Sequence, residues 1–204
     1  MTVSEVEIDV ATPFIRRVTV RSSSAWSLAP EVILERRGRR WGGRLGMGAA
    51  GLAVRARRSQ ITLPAALAQH AAQRLDWPQP RLALGLALRG LASAAIDVSD
   101  GLLADLGHVC AAGGVGARLD LAALPLPAGA LALASHEELL GAGDDYELCF
   151  AVPPSREAAV PALAARLGCP LSRIGRIEAE PGLRLVDAAG RVQPAPPRGH
   201  DHFR

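Results

Sequence analysis

An α/β (α+β) domain, with a mixed sheet flanked by helices, is the fold class the sequence predicts. Helical runs and short apolar strands alternate along residues 62–193, a pattern that packs helices onto a sheet instead of segregating the two. Glycine and proline punctuate the junctions, as at Trp77-Pro78, Gly113-Gly114 and Glu180-Pro181-Gly182. An apolar fraction of 49% over 204 residues suffices for a packed core, in one domain or two small ones.

Residues 1–40 carry the weakest pattern. Val6 to Val10 and Arg17 to Arg21 alternate like short strands, and Ser22-Ser23-Ser24 and Arg36-Arg37-Gly38-Arg39-Arg40 interrupt. This atypical Arg-rich segment reads as a degenerate N-terminal portion, a small hairpin or a disordered arm, set apart from a domain over 41–204. Trp41 to Leu52 is glycine-rich and leads into an Ala/Leu run. It lacks the Walker lysine and the GxGxxG register, so close helix packing through small residues is the better reading. Thr62 and Pro64 open a helix with Leu63, Leu67, Ala71 and Leu75 on one face, ending before Trp77-Pro78. A second helix is expected from Leu82 to about Leu91. Val115 to Leu121 alternates as a strand, and Val160 to Leu167 forms a helix closed by Gly168. Ile174 to Ile177, Leu183 to Val186 and Arg191 to Gln193 are short strands joined by turns.

All 23 basic residues are arginine, and the net charge of +3 is unevenly spread. Residues 1–58 hold 11 Arg against 5 acids, and 59–204 hold 12 against 15. The basic front lacks interleaved aromatics and a binding module, so no nucleic-acid partner is expected. Cys110, Cys149 and Cys169 are odd in number, widely spaced and set in apolar runs, as buried free thiols in a reducing compartment are. The front carries acids and no continuous apolar core, and no charge-free apolar run reaches 18 residues. A soluble, cytoplasmic protein with no membrane contact is the expectation.

The chemistry concentrates at Ala95 to Leu106, an apolar strand that runs through Asp97, Ser99 and Asp100 into a helix with apolar Leu102, Leu103, Leu106, Val109 and Cys110. Such a turn offers free N–H groups and the positive end of the helix dipole, which by itself suits phosphate. Two Asp three residues apart, flanking a serine, supply instead the hard oxygens that Mg²⁺ takes beside waters and substrate phosphates. The plainer alternative is that Ser99 and Asp100 cap the helix while Asp97 closes a hydrogen bond at the strand end, and spacing alone favours that use. A second acidic group, Gly143-Asp144-Asp145-Tyr146-Glu147-Leu148, precedes a buried strand. Glu147 stands out because it lies inside the apolar run, where an unpaired carboxylate would be costly. The tail His200-Asp201-His202 is too short a signal for a metal site.

Several motifs in order carry a resemblance. They are Pro78-Gln79-Pro80-Arg81 with Leu84-Gly85, Asp97 to Leu102, Asp105-Leu106-Gly107-His108, Gly143 to Leu148, Ile174-Gly175-Arg176-Ile177 and Asp201-His202-Phe203. Over residues 41–203 the chain resembles the C-terminal portion of the thiamine-monophosphate kinase family, in the aminoimidazole-ribonucleotide-synthetase-like superfamily. The resemblance implies the C-terminal domain of that fold. It also implies transfer of the ATP γ-phosphoryl group, with Mg²⁺, to thiamine monophosphate to give thiamine diphosphate. Carboxylates rather than a nucleophilic side chain should dominate, since such transfer rests on charge neutralisation and alignment. On matching positions, Asp97 and Asp100 would ligate Mg²⁺, Ser99 would touch ATP, and Glu147 would contact the thiamine moiety. His200 stands where the family carries an aromatic residue, which leaves Phe203 as the aromatic candidate beside it at the substrate.

Family members also begin with an N-terminal domain that carries further acidic motifs, ATP-phosphate contacts and much of the dimer interface. Residues 1–40 show none of these, and Leu45-Gly46-Met47-Gly48 lacks the acid of the family's L-G-D-A. Two expectations follow: a kinase domain that needs a homodimer or a partner chain to supply the missing half, or a non-catalytic remnant that keeps a thiamine-phosphate pocket or a protein interface.

Overall fold

The computed structural model describes residues 5–8, 18–21, 31–35, 48–59 and 62–196. Trp41 to Met47 of the glycine-rich stretch, and His200 and Phe203 of the tail, lie outside the described residues. From the first forty residues, β1 (Glu5–Ile8) and β2 (Val18–Arg21) pair antiparallel, with Glu5 opposite Arg21. The third strand, β3 (Glu31–Glu35), enters the main sheet.

Helices α1 (Ala49–Ser59), α2 (Ala65–Asp76) and α3 (Leu82–Ala87) precede strand β4 (Ala94–Asp97) and helix α4 (Leu102–Gly113). There follow β5 (Gly116–Asp120), α5 (His136–Leu140), β6 (Leu148–Val152), α6 (Pro154–Glu157) and α7 (Val160–Leu167). Strands β7 (Leu171–Glu178), β8 (Gly182–Val186) and β9 (Val192–Pro194) complete the described chain, β8 and β9 pairing antiparallel. Seven strands form one sheet in the order β4-β6-β3-β7-β5-β8-β9, parallel between β5 and β8 and antiparallel elsewhere. This is the predicted mixed sheet flanked by helices.

Strand β6 shows why the sheet holds helices on both faces. Its run Leu148-Cys149-Phe150-Ala151-Val152 is apolar throughout, as a strand buried on both sides must be. Cys149 and Ala151 pack with Leu102, Leu103, Leu106, Val109 and Cys110 of α4 on one face. Phe150 and Val152 pack with Leu84, Leu88, Val160 and Leu163 on the other. A third cluster joins Leu52 and Ala53 of α1 and Leu67 and Ala71 of α2 to Leu139 of α5. A Cβ on Gly51 would collide with Ala142, so this glycine of the run serves close packing, as the composition predicts.

Helices α4 and α7 end as expected, at Gly114 and Gly168 in left-handed conformations. Two helix boundaries differ from expectation. The α3 helix stops at Ala87 rather than near Leu91, because the chain turns through Leu88 to a left-handed Gly90 at φ 72°. Pro64 sits just outside α2 with ψ 138° and does not occupy its first turn. Among the described residues no helix is long and apolar enough to cross a membrane.

Candidate active site

The end of β4 and the start of β6 form one mouth. The β4–β6 register, with Asp97 opposite Leu148, continues past both strands: Val98 N–H donates to the Glu147 carbonyl and Tyr146 N–H to the Val98 carbonyl, each at 2.8 Å. Asp144 N–H donates to the Ser99 carbonyl, also at 2.8 Å. The two acidic motifs, far apart in sequence, therefore lie stitched side by side. A Cβ on Gly143 would collide with the Ser99 carbonyl oxygen, so the approach requires glycine there. Gly143→Ala is expected to force the two turns apart and cost about 1–3 kcal/mol of stability, read as a fall in denaturant midpoint.

Ser99 and Asp100 do not cap α4. The N-cap position is Gly101, at φ 110°, with no side-chain cap bond, and a Cβ there would sit 2.8 Å from the Gly141 carbonyl carbon. The amides of the bend are satisfied from within the helix instead: Asp105 Oδ2 accepts Ser99 N–H at 2.9 Å and Asp100 N–H at 3.0 Å. The capping alternative for Ser99 and Asp100 is thereby removed, and both side chains are left half-buried at the mouth.

Asp97, Asp100 and Asp105 repel one another. Burial first, then the charge of Asp100, raises Asp97 above the usual carboxylate range, against the pull of its own amide. Burial pushes Asp105 up to about 7, opposed by its two N–H donors and reinforced by the charges of Asp100 and Asp97. Between about pH 4 and 7 the folded chain thus holds a proton that the unfolded chain gives up, and stability falls as pH rises through that window. Asp105→Asn keeps an oxygen for both amides and removes the charge. In chelator, it is expected to flatten this fall and to gain on the order of 2 kcal/mol at pH 8, measured by urea unfolding.

On the inner side of the mouth, Asp145 and Glu147 are wholly buried. Arg74 of α2, only 2% exposed, donates to the Asp145 carbonyl at 2.5 Å and to Glu147 Oε1 at 3.1 Å. The Asp145 carboxylate accepts Gly48 N–H at 2.6 Å, at the start of α1. The carboxylate that stood out in the sequence is thus paired, and the loop is tied to both preceding helices. Asp144 and Tyr146 point outward, exposed, on left-handed backbone at φ 66° and 49°. Sequence reasoning gave no role to Arg74 or Asp105. The signal for Arg74 was an arginine on the same helical stripe as Leu67 and Ala71.

The mouth brings together Asp97, Ser99 and Asp100 with Asp144, while Glu147 faces Arg74, away from the surface. Among the described residues no group of three or more His, Cys, Asp or Glu forms a ready metal cage. Two half-buried carboxylates at the mouth do fit Mg²⁺, which takes one or two carboxylates and completes its shell with waters and phosphate oxygens.

Known proteins match this chain in sequence and fold. The family model described as AIR synthase related protein, C-terminal domain, matches residues 41–188. A thiamine-monophosphate kinase of Salmonella typhimurium is 42% identical over 166 residues, 78% of this chain and 50% of that protein. The crystal structure of thiamine-monophosphate kinase from Stenotrophomonas maltophilia K279a superposes with a TM-score of 0.66 at 35% identity, covering 78% of this chain and 50% of that one. The structure of AaThiL complexed with AMPPCP and TMP shares the fold at 22% identity, with a TM-score of 0.66 over 91% of this chain and 54% of that one. The chain spans about half the length of the curated relatives it matches. With 41–188 matched and the strand-to-helix mouth at its centre, the chain belongs to the family of AIR synthase related proteins through their C-terminal domain.

Proposed function

We propose that this chain takes part in ATP- and Mg²⁺-dependent phosphorylation of thiamine monophosphate to thiamine diphosphate. The observation that carries the reading is the bend at Asp97, Ser99 and Asp100. Its side chains are not used as helix caps, and burial first, then neighbouring carboxylate charge, disfavours the charged forms of Asp97 and Asp105. Neighbouring carboxylates partly withdrawn from water disfavour their charged forms unless something cationic relieves them. Relatives named thiamine-monophosphate kinase, and a shared fold that holds AMPPCP and TMP in AaThiL, support the choice of ligands.

In this reading Asp97 and Asp100 hold Mg²⁺, which when bound neutralises phosphate oxygens and draws donor and acceptor into line. Ser99 contacts the ATP phosphates from the bend between them. Asp105 holds that bend through its two amides, so the carboxylates meet the ligand already placed. Glu147 remains the proposed contact to the thiamine moiety, and its pairing with Arg74 keeps the 143–147 loop in place. His200 and Phe203 remain proposed acceptor contacts. The acceptor phosphate is itself the nucleophile, so no side-chain nucleophile is needed. The buried free thiols Cys110 and Cys149 suit a reducing cytoplasm.

A second reading is a non-catalytic module that binds thiamine phosphate or a protein partner without turnover. In the kinase reading, a second copy or a partner chain supplies the remaining contacts. Incubating the full chain with ATP, Mg²⁺ and thiamine monophosphate, with calorimetric titration of each ligand in parallel, separates the two. Thiamine diphosphate formation supports the first reading, and binding without product supports the second. Absence of both contradicts the kinase reading and a thiamine-phosphate module alike.

A further inference from the structure

The motif Asp144-Asp145-Tyr146-Glu147 alternates like a strand across the wall of the mouth. Asp145 and Glu147 are wholly buried, so the motif meets the outside through Asp144 and Tyr146 alone. Tyr146 is 39% exposed and belongs to none of the three apolar clusters. Its backbone N–H bond to Val98 is one that any residue but proline would make. Its φ of 49° lies in the left-handed region, where a bulky aromatic residue is strained and glycine is at ease. Core packing therefore does not account for an aromatic ring at this position.

The ring is nonetheless held in place. The Tyr146 hydroxyl donates to Asp144 Oδ1 at 3.3 Å. Burial first, then the charges of Asp144, Asp97 and Asp100, keeps that proton on the phenol. Tyr146 N–H donates to the Val98 carbonyl and Asp144 N–H to the Ser99 carbonyl, so the residue that carries the ring stands beside the bend of Asp97, Ser99 and Asp100, at the edge of the proposed phosphate site. An electron-rich aromatic face beside a carboxylate attracts an organic cation. Thiamine monophosphate carries one in its thiazolium ring, linked to its phosphate by a short chain.

We propose that Tyr146 is the residue that recognises the cationic ring of the acceptor, its face against the thiazolium and its hydroxyl anchored on Asp144. This deepens the proposed kinase reading and rests on it. The acceptor's phosphate lies toward Asp97 and Asp100 and its ring lies over Tyr146, so the residue selects for a phosphate ester bearing a cationic aromatic ring over a bare phosphate. Its fixed orientation lowers the ordering cost on binding.

The test is calorimetric titration of the full chain, with Mg²⁺, by thiamine monophosphate and separately by inorganic phosphate. Tyr146→Phe keeps the ring face and is expected to stay within about threefold of the parent for thiamine monophosphate. Tyr146→Ala and Tyr146→Gly are expected to bind it about 5- to 30-fold more weakly, with inorganic phosphate unchanged. The glycine variant also relieves the left-handed backbone, so its thermal midpoint should equal or exceed that of the alanine variant. Unchanged affinity in Tyr146→Ala, equal weakening toward both ligands, or affinity restored by Tyr146→Gly overturns the proposal. Failure of the parent chain to bind thiamine monophosphate overturns the kinase reading itself, and shows in the parent before any variant is compared.

Discussion

Arg74→Met is expected to lower stability by about 3–5 kcal/mol, the largest effect of any single change considered for this fold. The substitution keeps an unbranched apolar stem on the α2 stripe and removes the guanidinium from Glu147, a carboxylate with no solvent exposure. It also removes the donor to the Asp145 carbonyl, in a loop whose left-handed residues Asp144 and Tyr146 hold their conformations only while the surroundings fix them. Arg74→Met paired with Glu147→Leu should recover a substantial part of the loss, because removing both members leaves no buried charge behind. Urea unfolding of the parent and the single and double variants measures the coupling. A loss below about 1 kcal/mol in the single variant would show that the buried pair does not hold the loop.

Asp100→Ala is expected to abolish Mg²⁺-dependent nucleotide binding, a loss of at least about tenfold, and to leave the fold largely intact. The structure sharpens this expectation. Asp100 makes no cap bond on α4, so its removal does not unseat the helix, and Asp105 continues to hold the bend through backbone amides that the substitution keeps. Removing one of three mutually repelling carboxylates should even raise stability slightly in chelator, as it relieves Asp97 and Asp105. Calorimetric titration with a non-hydrolysable ATP analogue, beside a thermal scan of the same sample, checks both halves. Unchanged affinity would remove Asp100 from the metal site.

How much of this was legible in the sequence depended on whether the cause was local. Helices α4 and α7 could be bounded because Gly114 and Gly168 terminate them through their own backbone freedom. The two acidic turns were visible as motifs, but their juxtaposition was not, since it follows from the pairing of β4 with β6, some fifty residues apart. The place of β3 between β6 and β7 is a long-range pairing of the same kind, and five residues of local pattern hold no sign of it. The cap expectation for Ser99 and Asp100 failed because a carboxylate within the helix, Asp105, satisfies the bend and leaves Gly101 to open it. Glu147 was correctly singled out as too costly to bury alone. Its partner Arg74 was present in plain sight on an apolar stripe, but an amphipathic helix pattern does not say which distant acid such an arginine meets.

The measurement that bears most directly on the account is the Mg²⁺ dependence of nucleotide binding by the full chain. A non-hydrolysable ATP analogue would be titrated at pH 8, once with Mg²⁺ and once in chelator. The mouth built from Asp97, Ser99 and Asp100 predicts binding with the metal and at least about tenfold weaker binding without it, because unscreened carboxylates repel the phosphates. Equal affinity in the two titrations, or none in either, would contradict the assignment of this bend as a metal and phosphate site.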